Sequence, residues 1–95
     1  MIQTFADKET EKVYHQKFSK KLPQAIQKIA LRKLMMMDAA VGINDLRIPP
    51  ANHLEKLEGD REGQYSITIN SQYRICFRCV TPNRFFDVEI VDYHK

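Results

Sequence analysis

Apolar residues recur along this chain with two different periods, and the change of period divides it. Ile26, Ala30, Leu34, Met37 and Val41 repeat at three- and four-residue intervals, the spacing that brings side chains onto one stripe of a helix. Pro23 suits the first turn of that helix and Gly42 its end. Leu31 and Met35 fall off the stripe, either as ordinary exposed apolar residues or as a second surface for a partner. Earlier in the chain, Asp7 offers an N-cap to a helix over residues 8–18, whose apolar face of Val13, Tyr14 and Phe18 is too weak for anything but the surface. Residues 2–5 suit a short first strand.

After Gly42 the helical period is lost. Residues 42–63 contain Pro49-Pro50, Gly59 and Gly63 and read as a long loop, of a length that in small domains is usually either functional or disordered. Strict alternation follows over residues 65–70, with further strand-like runs over 73–80 and 85–93 after breaks at Ser71-Gln72 and at Thr81-Pro82-Asn83. A period of two with turn residues between runs predicts an antiparallel meander. Helices first and a sheet afterwards make this an α+β chain, expected to form one domain over residues 1–95.

Composition narrows the classes without selecting one. The 95 residues carry 43% hydrophobic and 28% charged positions, as globular chains do. The longest apolar run, residues 34–37, is far below the ~20 needed to cross a bilayer. Met1-Ile2-Gln3-Thr4 lacks the opening of a secretory signal, so the cytoplasm is the expected compartment and no membrane partner is expected. The formal charge of +3 hides an uneven distribution. Residues 7–33 hold eight Lys or Arg against three acids, whereas residues 34–95 hold seven against nine. A basic helical part suits either docking onto a polyanion such as RNA or an ordinary solvated surface.

Chemistry-bearing residues gather in the second half. Cys76 and Cys79 have the spacing of a redox pair, but within a strand that spacing sends the sulfurs to opposite faces, so two small thiols are expected rather than a redox or metal site. His15, His53 and His94 are too scattered to form a ligand set. On the same strand Tyr73, Ile75, Phe77 and Cys79 point one way, and Arg74, Cys76, Arg78 and Val80 the other. The chain closes on Asp92, Tyr93 and His94, an acid, a phenol and an imidazole in succession. Alternation puts Asp92 and His94 on one side and Tyr93 on the other, and a carboxylate beside an imidazole favours the imidazolium, a group able to protonate a leaving oxygen. There is no phosphate-cradling Walker loop, no nucleophile with an adjacent base and no carboxylate set spaced for magnesium, and no cofactor is expected.

The order of these features is more specific than any one of them. Pro49-Pro50-Ala51-Asn52-His53-Leu54-Glu55-Lys56-Leu57, Gly59-Asp60-Arg61-Glu62-Gly63-Gln64-Tyr65-Ser66-Ile67, Gln72-Tyr73-Arg74-Ile75-Cys76-Phe77 and Val88-Glu89-Ile90-Val91-Asp92-Tyr93-His94 together resemble the HigB-type killer toxins of bacterial toxin–antitoxin systems, within the wider RelE/ParE superfamily. The resemblance covers essentially the whole chain. It implies two N-terminal helices packed on a small twisted, mainly antiparallel sheet. It also implies a ribosome-dependent, metal-free endoribonuclease that cuts mRNA in the ribosomal A site, inhibits translation and is neutralised by a cognate helix-turn-helix antitoxin, through which alone it would reach operator DNA.

The positions matching the catalytic residues of that family are Arg74, Asp92, Tyr93 and His94. Where some relatives have a His followed three residues later by Lys, this chain has Glu55 and Glu58, while His53 lies two positions early. The RNA 2′-OH would be the nucleophile, with Asp92 or Glu55 as general base, His94 as general acid, Tyr93 as a stacking or orienting group and Arg74 on the phosphate. Arg61, Arg78 and Lys56 are the expected RNA contacts. Two other readings stay open on sequence: a catalytically weak homologue that retains only antitoxin binding, and a gyrase-inhibiting toxin of the same superfamily.

Overall fold

The computed structural model describes residues 1–93. Two helices, α1 (Lys8–Tyr14) and α2 (Gln24–Ala39), precede four strands, β1 (Glu55–Lys56), β2 (Gln64–Thr68), β3 (Tyr73–Thr81) and β4 (Arg84–Asp92). The strands pair antiparallel in chain order. This is the α+β architecture that the change of period predicts.

The stripe on α2 buries as expected. Ile26, Ala30, Leu34 and Met37 are at most 3% exposed and join Ile67, Ile75, Phe77, Phe85 and Val88 in one core. Val41, the last residue of the predicted stripe, is instead 82% exposed, because α2 ends at Ala39 and the chain leaves it in an extended conformation at Ala40. The first helix also stops early, at Tyr14 rather than Phe18. Gln16 adopts a left-handed φ of 62°, its N–H bonds Val13 O, and Lys17 N–H bonds Lys12 O. That is a Schellman closure, formed here on glutamine where glycine is usual, and it leaves Phe18 at the surface. Of the two residues off the stripe, Leu31 is half-buried against the core and Met35 is exposed.

The N-terminal segment forms no separate strand. Ile2 and Phe5 instead make parallel bridges to Phe85 and Val88 of β4, so backbone bonds such as Gln3 N–H to Phe85 O and Ala6 N–H to Val88 O cover that sheet edge. Asp38 fastens this segment to both helices by accepting bonds from Ile2 N–H at 3.0 Å and from the Tyr14 hydroxyl at 2.8 Å. Covering an edge removes a template for unwanted pairing. Thr10, fully buried, continues the cover by accepting the Ile90 N–H on its hydroxyl at 2.9 Å. Thr10→Val keeps the shape and orphans that buried N–H, so it is expected to lower unfolding stability by about 1–3 kcal/mol, read as a lower urea midpoint at unchanged m-value.

The segment predicted as a loop holds three 3-10 turns and β1. Gly59 (φ 66°) and Gly63 (φ 89°) flank the turn of Asp60 and Arg61 with positive φ. These angles favour glycine because it has no Cβ to clash, and the turn returns the chain to the sheet with Arg61 over its open face.

Candidate functional site

The helices cover one face of the sheet, and the register lays out the other. Glu55 stands opposite Ser66, Ser66 opposite Cys76, Cys76 opposite Glu89, and Thr68 opposite Arg74. Directly paired residues share a face, so Glu55, Ser66, Thr68, Arg74, Cys76 and Glu89 form one polar surface across four strands.

Arg74 is its centre. One guanidinium nitrogen donates to Ser66 Oγ at 2.6 Å, and two N···O approaches of 3.2 and 3.3 Å join the fork to the Glu55 carboxylate. The guanidinium carbon lies 5.7 Å from the centre of the Tyr93 ring, within cation–π range. The Arg74 side chain is 19% exposed and that of Glu55 55%. A guanidinium fixed from three sides, with an exposed carboxylate as its counter-ion, is ready to exchange that carboxylate for a phosphate of the same bidentate geometry.

Arg61 forms a second cationic position. It donates to Gln64 Oε1 at 3.0 Å and to Glu89 Oε1 at 3.2 Å. Between the two arginines, the buried Cys76 sulfur meets the Tyr93 hydroxyl at 3.6 Å. Burial pushes both groups above their ordinary pKa, and for Tyr93 the neighbouring thiol adds to the effect. At neutral pH the phenol is therefore a hydrogen-bonding acid and the thiol is uncharged. With Cys79 replaced by serine, Cys76 is expected to resist iodoacetamide at pH 7 while free glutathione is consumed, and to react faster only in clearly alkaline solution. Rapid alkylation at neutral pH would contradict this.

A cleft of about 510 Å³ opens beside these groups, with Leu57, Glu58, Asp60 and Arg61 on one wall and Val91, Asp92 and Tyr93 on the other. Alternation places Asp92 and Tyr93 on opposite sides of β4, yet both line this cleft because the strand ends there. Asp92 also accepts the Gln72 side-chain amide at 3.2 Å.

The structure thus brings Glu55, Arg61, Arg74, Asp92 and Tyr93 together, whereas His94 lies outside the described residues. Arg78 shares the polar face by its pairing with Gln64 but sits at the far end, 3.4 Å from Asp87. Lys56 pairs with Tyr65, which places it on the other face from Glu55. Sequence reasoning missed Ser66, Cys76 and Glu89. Alternation on β2 and β3 puts Ser66 and Cys76 in phase with their strands' polar positions, but Glu89 joins them only through a register that shifts beyond Cys76, near the left-handed Asp87. Among the described residues no cluster of His, Cys, Asp and Glu is suited to a metal ion, and no helix is long and apolar enough to cross a membrane.

Comparison with known proteins agrees with this architecture. The family model described as the RelE-like toxin of the type II toxin–antitoxin system HigB matches residues 3–94. Toxin HigB-1 of Vibrio cholerae serotype O1 is 43% identical over 81 residues, covering 84% of this chain and 85% of the relative. Endoribonuclease HigB of Proteus vulgaris is 30% identical over 95 residues, covering 99% and 100%. Among solved structures, the YoeB–YefM complex from Staphylococcus aureus contains a chain that superposes with a TM-score of 0.56 at 21% identity, over 100% of this chain and 97% of that one, a likeness of fold. With the family match spanning nearly every residue, the chain belongs to the HigB-like, RelE-like toxins of type II toxin–antitoxin systems.

Proposed function

We propose that this toxin is a ribosome-dependent endoribonuclease that cuts mRNA and is silenced by a cognate helix-turn-helix antitoxin. The observation that carries the reading is Arg74, held between Ser66, Glu55 and Tyr93 on an open sheet face. RNA brings its own nucleophile in the 2′-OH, so the protein has to align that oxygen with the phosphorus, stabilise the charge that develops on the phosphate, and move two protons.

Arg74 binds the non-bridging phosphate oxygens through its fork. Glu55, displaced from Arg74 by the phosphate, is left beside the substrate and takes the 2′-OH proton; Asp92 is the other carboxylate on the site. The 2′-oxygen forms a bond to phosphorus as the bond to the 5′-oxygen breaks, and His94 protonates the leaving oxygen. Tyr93, kept neutral by burial, orients Arg74 and the nucleotide above it. Arg61 attracts the backbone at the cleft, with Arg78 at the far end of the same face; Lys56, on the opposite face, is left with at most a peripheral contact. The products are a 2′,3′-cyclic phosphate and a free 5′-hydroxyl. So small a set of groups relies on a host that bends the message into line, a role suited to the ribosome.

The support for an antitoxin is the family itself and a solved neighbour that is a toxin–antitoxin complex. The test is induced expression in a bacterial host. Growth arrest with cut messages is expected, relieved by co-expressing the helix-turn-helix protein encoded beside this one. Arrest with intact messages and accumulated DNA breaks would instead favour gyrase inhibition.

A further inference from the structure

The strand that carries Glu55 is too short to place it unaided. β1 has two residues, Glu55 and Lys56, and the chain enters it from the 3-10 turn Pro50–Asn52 through His53, which holds a left-handed φ of 46°. That conformation is uncommon for a residue with a Cβ and persists where the surroundings fix it. Asn52 supplies the fixing. It is 1% exposed, and its side chain ties the turn to two other parts of the chain: Nδ2 donates to Leu46 O at 3.0 Å and approaches Met36 Sδ at 3.3 Å, while Oδ1 accepts the Lys33 ammonium at 2.8 Å. Ala51 and His53, on either side of Asn52, line the same hollow as Glu55 and Arg74. We propose that Asn52 is a positioning residue of the RNA-cleaving centre, fixing the turn that delivers the Glu55 carboxylate to Arg74, with Lys33 on α2 fixing Asn52 in turn. The inference rests on the endoribonuclease reading for the reaction that Glu55 serves.

Three features separate this side chain from ordinary core filling. A buried amide costs free energy unless its polar atoms are paired, and an apolar side chain would fill the same volume without that demand. Its two ends are not interchangeable: an ammonium only donates and a carbonyl only accepts, so the amide plane has one orientation. Its partners also lie on separate elements, Lys33 and Met36 on α2 and the fully buried Leu46 at the end of the 3-10 turn Ile43–Leu46. The turn is thereby referred to the helical layer, Leu54 packs against the core, and Glu55 follows on the open face of the sheet. The Lys33 amine is drawn partly out of water to reach Asn52, and burial pushes its pKa down. A reacting carboxylate displaced by an ångström loses rate steeply, so an anchor of this kind bears on the chemistry as well as on the fold.

Asn52→Ala is expected to lower kcat for message cleavage on ribosomes about ten- to a hundred-fold with KM nearly unchanged. Lys33→Met, which spares the buried bond to Leu46 and so the fold, is expected to give part of that loss, and Lys33→Arg, which still donates, to keep the wild-type rate. Ser19→Ala separates the effect from a general loss of stability. It removes a buried hydrogen bond at the corner between the helices, where the Ser19 hydroxyl donates to Glu9 Oε1 at 2.6 Å, and is expected to leave kcat at the wild-type value. Because Asn52 acts through Glu55, Asn52→Ala is expected to cost nothing further in a Glu55→Gln background. A second arm needs no cleavage. In proton–nitrogen correlation spectra the side-chain Nε–H signal of Arg74 is expected to move in Asn52→Ala in the direction it moves in Glu55→Gln, and to stay in place in Ser19→Ala. If Asn52→Ala and Lys33→Met cut as fast as Ser19→Ala, if Asn52→Ala takes its full toll on top of Glu55→Gln, or if neither variant moves the Arg74 signal, the positioning role is refuted. An Arg74 signal that depends on Asn52 in a protein that cuts no message would uphold the anchor and refute the nuclease reading.

Discussion

Arg74→Ala is expected to slow message cleavage by about a hundred- to a thousand-fold, the usual consequence of removing one preorganised donor from a developing oxyanion. The loss should fall mainly on the chemical step, because Arg61 and Arg78 remain to attract the strand. The fold should persist. Arg74 lies on the open face, its pair with the half-exposed Glu55 carboxylate belongs to a class worth about 0–1 kcal/mol, and it supports none of the core. Equal thermal midpoints for wild type and variant would establish this. Arg74→Lys is the sharper comparison: it keeps the charge, loses the planar fork and is expected to recover little activity. Full activity in Arg74→Ala would remove the phosphate site from the account.

Phe77→Ala should be the most destabilising single truncation in the sheet. Its ring is fully buried, packs edge-on against Phe85 at 5.1 Å between centroids and stacks with Tyr65 at 6.1 Å. Replacing a buried phenylalanine by alanine typically costs about 3–5 kcal/mol, lost burial and residual cavity together. A domain of this size has about 5–14 kcal/mol in all. About a fifth of the stability or more is therefore expected to vanish, read as a large fall in urea midpoint, whereas Phe77→Leu should cost less than half as much. The effect reaches the site because Phe77 follows Cys76 on β3, and the register that brings Glu89 opposite Cys76 shifts immediately beyond that pair. A loosened core at this point would spread the Arg61 and Arg74 positions before the chain unfolds.

Elements whose burial repeats with a fixed period could be read from sequence, and features set by a single unusual backbone angle could not. Ile26, Ala30, Leu34 and Met37 bury as their spacing requires. The stop at Tyr14 depends on Gln16 taking a conformation that glycine prefers, and no local signal marks it. In the site, Arg74 and Tyr93 stand out because an arginine and a phenol at those places in the order of motifs are distinctive. Ser66 and Cys76 look ordinary on their own strands, and their role comes from cross-strand neighbours that only the register supplies. Lys56 shows the converse: its charge suggested RNA contact, yet a single-residue step along β1 places it on the opposite face from Glu55.

Purified toxin added to ribosomes translating a defined message tests the central claim most directly, with the new ends mapped and their chemistry read. Cuts are expected within the codon in the A site, only when ribosomes are present, leaving a 2′,3′-cyclic phosphate upstream and a 5′-hydroxyl downstream. An intact message under these conditions, or ends bearing a 5′-phosphate, would contradict it.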